Sequence, residues 1–314
     1  MRYFAADIGG TYSRMAWSRG DAAGFEEAQV YNNAEFDSLE AVIDRALQTR
    51  NLTEESLEHM VLAVPGPLHD DPIQLTNIAW QLDRRRLQDR YRAAKLTIVN
   101  DFQAAALGAS AEPLERLTVL NPATQGAGPV VVAGAGTGLG MAWFANGETQ
   151  ALPRATEGGH LDFAPVNADQ AALYHWLAAR YGHVSYERIL SGTGLLDTYR
   201  FIAADESTAN TPAEIVAAAR RNDALALKAV HTFVDVFAAY AGNLALAFSP
   251  TGGVFLCGGL SVHLAEWFES ERFLAAYSAK GRMRAVVQRI PVFMVTRHDN
   301  GLTGAKMIAE NFTG

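Results

Sequence analysis

The chain holds a single cysteine, Cys257, in 314 residues. No intrachain disulfide can form and no thiolate cluster can hold zinc, which excludes a disulfide-stapled secreted domain and fits a reducing compartment. Basic residues are also short: 26 Lys and Arg stand against 34 Asp and Glu, a formal net charge of −8. Nucleic acid or an anionic membrane attracts a protein through a basic patch, and the only tight basic run, Arg84-Arg85-Arg86, reads as the solvated face of a helix. Long uninterrupted apolar runs are missing as well. The most apolar stretch, Val230 to Phe248, carries His231, Asp235 and Asn243, which predicts a buried core helix rather than a membrane span. The opening Met-Arg-Tyr-Phe-Ala-Ala-Asp is too short an apolar run for a secretion signal. The expectation is a cytoplasmic protein with neither nucleic acid nor membrane as a partner.

What is present is ample apolar material, 49 % of residues, in a chain long enough for two domains. Strand and helix signals interleave, so the class is α/β. Tyr3–Ile8 and Met15–Trp17 read as strands around a glycine turn. Asp37-Ser38-Leu39-Glu40 is a capping-box pattern, and Leu39, Val42, Ile43, Ala46 and Leu47 follow at helical spacing. Met60–Val64 and Lys95–Val99 read as buried strands, the first stopped by Pro65-Gly66-Pro67 and the second ending in Asn100-Asp101. Val130–Ala133, a second glycine turn and Met141–Phe144 repeat the strand–turn–strand theme of the N-terminus. Ala168–Tyr181 reads as helix, and Thr211-Pro212-Ala213-Glu214 as the start of another, with two apolar helices broken near Asn222-Asp223. Val254–Cys257, ending in Gly258-Gly259, and Val292–Val295 are the last strands, and a helix follows near Leu302–Asn311. No low-complexity linker interrupts the chain. The division expected is residues 1–110 plus 302–314 for one domain and 111–301 for the other.

The two glycine turns, Asp7-Ile8-Gly9-Gly10-Thr11 and Gly134 through Gly140, carry the chemistry. Glycines at strand ends let backbone N–H groups reach a polyanion, and Thr11 and Thr137 add hydroxyl donors. A Walker loop is excluded, because the chain contains no Gly-Lys pair. The dinucleotide fingerprint fails too: begun at Gly134 or Gly136, its third glycine falls on Leu139 or Met141. The two-hairpin phosphate grip of actin-like kinases needs both turns, and both are here. Asp7 beside phosphates calls for an intervening Mg²⁺, although an Asp closing its own turn is the plainer use. Asp101, at the end of a buried strand, suits a base accepting a hydroxyl proton during attack on a γ-phosphate; a helix N-cap is its structural alternative. Glu157 and His160 in Glu-Gly-Gly-His, and Glu187, are good partners for vicinal hydroxyls, with surface ion pairing the plainer use for Glu187. Zinc at His160 and His183 lacks the ligand spacing.

Together these motifs resemble the bacterial glucokinase family, the hexokinase-like group without the zinc motif of its sister sugar kinases. The likeness runs from Asp7 to Asn300-Gly301-Leu302. It takes in Thr76-Asn77-Ile78-Ala79-Trp80, Ile98-Val99-Asn100-Asp101-Phe102, Gly134 through Gly140, and Glu157-Gly158-Gly159-His160 through Pro165. Gly182-His183-Val184-Ser185 with Glu187-Arg188, and Gly252-Gly253-Val254-Phe255 with Gly258-Gly259, belong to it as well. The resemblance implies two domains of ribonuclease-H-like, actin-like ATPase (hexokinase) fold, with glucose and Mg·ATP in an interdomain cleft, and a homodimer. It implies Asp101 as base toward the sugar 6-hydroxyl, and Asn100, Glu157, His160 and Glu187 on sugar hydroxyls. Gly9, Gly10, Thr11, Gly136, Thr137 and Gly138 would hold phosphates, Asp7 the metal, and Gly258 and Gly259 would lie by the adenosine. The chain departs from the family at Tyr12-Ser13, where Asn-Ala is usual, at Arg154-Ala155-Thr156 before Glu157, and after Pro65. Two other readings stay open: a kinase for another hexose or an amino sugar, and a sugar-binding paralogue of weak activity.

Overall fold

The computed structural model describes residues 2–18, 24–50, 52, 57–76, 78–92, 94–145, 152–205, 211–268 and 271–311. Asn77, residues 312–314 and Met1 lie outside them. The chain divides into two compact units, Met1–Ala111 with Gln150–Ala155 and Asp299–Gly314, and Glu112–Thr149 with Thr156–His298.

The first unit begins with an antiparallel hairpin of β1 (Tyr3–Ile8) and β2 (Tyr12–Ser18), then β3 (Gln29–Asn32), α1 (Leu39–Thr49) and β4 (His59–Val64). A two-stranded ribbon, β5 (Ile73–Gln74) and β6 (Gln81–Leu82), precedes α2 (Arg84–Arg90), β7 (Lys95–Asn100) and α3 (Asp101–Ser110). The sheet order is β3-β2-β1-β4-β7, with β1, β4 and β7 parallel. The helix expected after Asp37 forms, but its cap is Ser38, whose Oγ accepts from the Ala41 N–H at 3.2 Å. Glu40 therefore falls one position short of a capping box and instead meets Arg86 at 3.0 Å. The Arg84-Arg85-Arg86 run opens α2 behind an Asp83 cap, and Arg86 is 68 % exposed, as a solvated face requires.

The second unit contains β8 (Thr118–Asn121), β9 (Val130–Ala135), β10 (Leu139–Phe144), the last residue of the short β11 (Arg154–Thr156), whose first two belong to the first unit, and α4 (Ala168–Tyr181). Next come α5 (Gly192–Ala203), α6 (Pro212–Arg220), α7 (Ala224–Phe248), β12 (Gly253–Cys257), α8 (Gly259–His263) and α9 (Ala265–Phe268). The series ends with α10 (Glu271–Ser278), α11 (Arg284–Val287) and β13 (Val292–Met294). The sheet order is β11-β10-β9-β12-β13-β8; β9, β12 and β13 run parallel, and β10 and β8 antiparallel to them. Thr211 caps α6 by accepting from the Glu214 N–H, and Asn222, at φ +62°, turns the chain into α7. By length and composition α7 is the one described helix able to cross a membrane, yet it is the core helix of this unit, with Phe233, Phe237, Tyr240 and Ala241 fully buried. The mixed α/β architecture, a hairpin leading into parallel strands, thus occurs in each unit.

The last helix, α12 (Asn300–Asn311), belongs to the first unit and starts two residues earlier than its apolar periodicity predicts. Strand alternation explains where it packs. Phe4, Ala6 and Ile8 of β1 face α1, whereas Ala5, with Ala16, Val61 and Ala63, faces α3 and α12. The side chains on that second face are small, and the two helices lie close together on it. A Cβ on Gly304 would stand 1.8 Å from the Ala104 carbonyl oxygen, and one on Gly108 would stand 2.1 Å from that of Asn300.

Candidate functional site

The first glycine turn is the tip of the β1–β2 hairpin. Pairing runs out to Ile8 and Ser13, and the Gly9 N–H donates to the Tyr12 carbonyl at 3.0 Å. Tyr12 closes the turn with its backbone and leaves its ring 48 % exposed. A buried residue absent from the sequence motifs, Asn33, braces the turn. Its Nδ2 donates to the Gly9 carbonyl at 2.8 Å, its N–H donates to the Thr11 carbonyl at 2.9 Å, and its Oδ1 accepts from Ser13 Oγ at 2.7 Å. The available signal was a polar pair, Asn32-Asn33, at the end of an edge strand.

Asp7, last but one in β1, lies on the small-residue face. Its carboxyl packs against the start of α12, where a Cβ on Gly301 would come 2.6 Å from Asp7 Cγ. The side chain is only 16 % exposed. Burial, then the charge of Asp101, push its carboxyl up to about 6 from 3.8; Arg14, with Nη1 at 3.9 Å, opposes the rise, and Asp299 adds to it. Asp7, Asp101 and Asp299 are coupled through charge, with Arg14 their partial counterweight. Among the described residues no group of three or more His, Cys, Asp or Glu could hold an ion by itself. Asp299 and Arg14 escaped the sequence reading as site residues.

The raised carboxyl has a consequence for stability. Its folded-state value exceeds the unfolded one, so its contribution is full below about pH 4 and is lost as pH rises through about 6. Asp7→Asn is therefore expected to be more stable than the parent in metal-free buffer at pH 8, by at most about 3 kcal/mol, with the gap closing below pH 6. Thermal unfolding of both proteins from pH 8 to pH 4.5 measures it; a constant gap would mean that Asp7 does not carry the strain.

Asn100 and Asp101 sit where β7 gives way to α3. Asn100 caps the helix: its Oδ1 accepts from Phe102 N–H at 2.9 Å and Gln103 N–H at 3.3 Å, while Gln103 Oε1 accepts from Asn100 N–H at 3.1 Å. The Asn100 Nδ2 donates to the Gly66 carbonyl at 3.2 Å. The cap is thus Asn100, not Asp101, and the Asn100 amide is engaged at both ends. Asp101 occupies the first helical position, with Oδ1 accepting from Phe102 N–H at 2.8 Å.

In the second unit the turn between β9 and β10 is narrower than the glycine pattern suggests. Gly134 and Ala135 pair with Gly140 and Leu139, leaving Gly136, Thr137 and Gly138 as the tip, closed by Gly136 N–H to the Gly138 carbonyl at 2.8 Å. Open space surrounds the missing Cβ of Gly136. Gly138 is different: Glu187 Oε2 accepts from the next N–H, of Leu139, at 2.9 Å, and a Cβ on Gly138 would stand 2.6 Å from that oxygen. The tip and Glu187 are one construction. His160 joins them, with Nε2 at 3.9 Å from Glu187 Oε1 and 3.9 Å from Glu157 Oε2. Glu157, His160 and Glu187 therefore converge, and Glu157 is the most exposed of them. Gly258, at φ +97°, follows β12 with its missing Cβ 2.3 Å from the Ala135 carbonyl oxygen, so a side chain is excluded there by conformation and space alike; Gly259 then opens α8.

A family model described as Glucokinase matches residues 4–312. A glucokinase of Chromohalobacter salexigens is 38 % identical over 95 % of this chain and 94 % of its own length. A glucokinase crystal structure from an Antarctic psychrotroph superposes with a TM-score of 0.84 at 29 % identity, covering 99 % of each chain. One from Balamuthia mandrillaris, in complex with glucose, gives 0.81 at 24 % identity over 98 % of this chain and 93 % of that one.

Proposed function

This chain belongs to the glucokinase family, and from that premise we propose that it transfers the γ-phosphoryl group of ATP to the 6-hydroxyl of glucose. The observation that carries the reading is an acidic pair by the first glycine turn: Asp7 near the end of β1, and Asp101 at a helix start close enough for its charge to raise the Asp7 carboxyl. Asp101 accepts the hydroxyl proton as the sugar oxygen bonds to the γ-phosphorus and the bond to the bridging oxygen breaks, releasing ADP. Backbone N–H groups of Gly9, Gly10 and Thr11, and of Gly136, Thr137 and Gly138, meet phosphate oxygens, where they stabilise charge without reorganising. Asp7 would hold Mg²⁺, which when bound would neutralise charge on the transferring group. Glu157, His160 and Glu187 receive sugar hydroxyls; Asn100 acts first by fixing Asp101. Gly258 and Gly259 take the adenosine side. The lone, buried Cys257 supports a reducing, cytoplasmic setting.

Purified protein is expected to release ADP from Mg·ATP only when glucose is added, read by a coupled assay. Absent release would leave a sugar-binding protein without turnover, and glucose-independent release would make the chain an ATPase. A panel of hexoses and amino sugars, ranked by kcat/KM, would reassign the substrate if another sugar exceeded glucose.

A further inference from the structure

The turn that carries Glu187 is anchored from behind by a chain of polar groups with no part in the reaction as described. Lys280, just past α10, lays its stem across α7 in a notch that only glycine allows: a Cβ on Gly242 would stand 2.5 Å from Lys280 Cε. Its Nζ donates to the Ala239 carbonyl at 2.8 Å and to Asn243 Oδ1 at 2.6 Å. A lysine can only donate, so it fixes which way the Asn243 amide faces. Asn243 Nδ2 is thereby committed to the Tyr186 hydroxyl, at 2.7 Å.

Tyr186 is 4 % exposed and immediately precedes Glu187 in a 3-10 turn, Tyr186–Arg188. Its ring lies 4.6 Å from that of Tyr240 on α7 and edge-on to Phe163 at 5.8 Å. The backbone beside it is tied to the second turn, Gly158–His160: Tyr186 N–H donates to the Leu161 carbonyl at 3.0 Å, and Phe163 N–H to that of Val184 at 2.9 Å. One hydroxyl therefore registers both turns, and with them Glu187, His160 and Glu157, against the core helix.

We propose that Lys280 and Asn243 are positioning residues for sugar recognition, acting through Tyr186 to hold these two turns at the height where their side chains converge. The proposal rests on the assignment of Glu157, His160 and Glu187 to sugar hydroxyls. A small displacement of binding groups is costly to recognition even when its origin is remote. The chain touches neither glycine turn's tip directly and meets the second only through Glu187, so its larger effect falls on the sugar.

The test is steady-state kinetics on the full-length protein, varying glucose at saturating ATP and ATP at saturating glucose, with thermal unfolding recorded for each variant. Lys280→Met keeps the stem and removes the donor; Tyr186→Phe keeps the ring and removes only the hydroxyl. Each is expected to raise the glucose KM about ten-fold and the ATP KM by less, at most about three-fold, through the bond of Glu187 to the second tip. The double variant is expected to be no worse than the poorer single one, because both cut one chain. A glucose KM within about two-fold of the parent in Tyr186→Phe overturns the proposal, as does an equal rise in both KM values. If Lys280→Met does not fold, Tyr186→Phe decides alone. Parent protein that turns over no glucose would instead bring down the assignment beneath the proposal, and is measured first.

Discussion

Asp101→Ala is expected to lower kcat by about a thousand-fold while glucose affinity stays within a few-fold. A positioned base contributes in the range of two to four orders of magnitude, and the lost group acts on the hydroxyl proton, not on the rest of the sugar. The variant should fold, because the helix cap is supplied by Asn100 and Gln103, not by Asp101. Its removal also takes away the charge that ranks second in raising Asp7, so stability at neutral pH should hold or improve slightly. Coupled assay gives kcat and calorimetry gives glucose affinity. Turnover comparable with the parent would remove Asp101 from its role; lost glucose binding would recast it as a substrate ligand.

Gly304→Ala is expected to be the most damaging single-methyl change in the first unit. The added carbon would stand 1.8 Å from the Ala104 carbonyl oxygen and 2.5 Å from its carbon, both backbone atoms of α3. No side-chain rotation relieves such a contact, so the helices must part. Overpacking of this kind costs about 3 kcal/mol or more, which for a chain of this size lowers Tm by roughly 6 °C or more. Activity should fall too, since α3 and α12 begin at Asp101 and Asn300 beside Asp7. Gly301→Ala is the informative contrast: its methyl meets the movable Asp7 carboxylate at 2.6 Å, so it should spare Tm more than turnover. Equal Tm losses in the two variants would refute the distinction. Unfolding midpoints and kcat for both decide.

Much of the architecture was legible because its signals are local. Ala168–Tyr181, Tyr3–Ile8 and the Thr211 cap announce themselves within one turn or one strand. The two hairpin tips could be placed because glycines end apolar strands. Other features are set by partners distant in the chain. Asn33 is set by bonds to Gly9 and Ser13, which a polar pair at a strand end hints at without naming the partners. Asp299 matters only once α12 lies beside β1. Gly304 reads as a helix-weakening residue until the α3 backbone is seen against it. Asn100 was legible as a polar residue at a strand end, but its Asn-x-x-Gln spacing to Gln103 pointed to a cap that the neighbouring Asp101 overshadowed.

The first unit is finished by the chain's late return as α12, after the whole second unit has intervened. On a ribosome, residues of the second unit emerge and can collapse while Ala5, Ala63 and Leu107 still lack the helix that covers them. At ordinary synthesis rates that exposure lasts roughly 10–40 s. Asp299 and the α12 start beside Asp7 arrive only at its close, so a nascent chain stays catalytically silent, and dependent on protection of that apolar face, until α12 itself has been made.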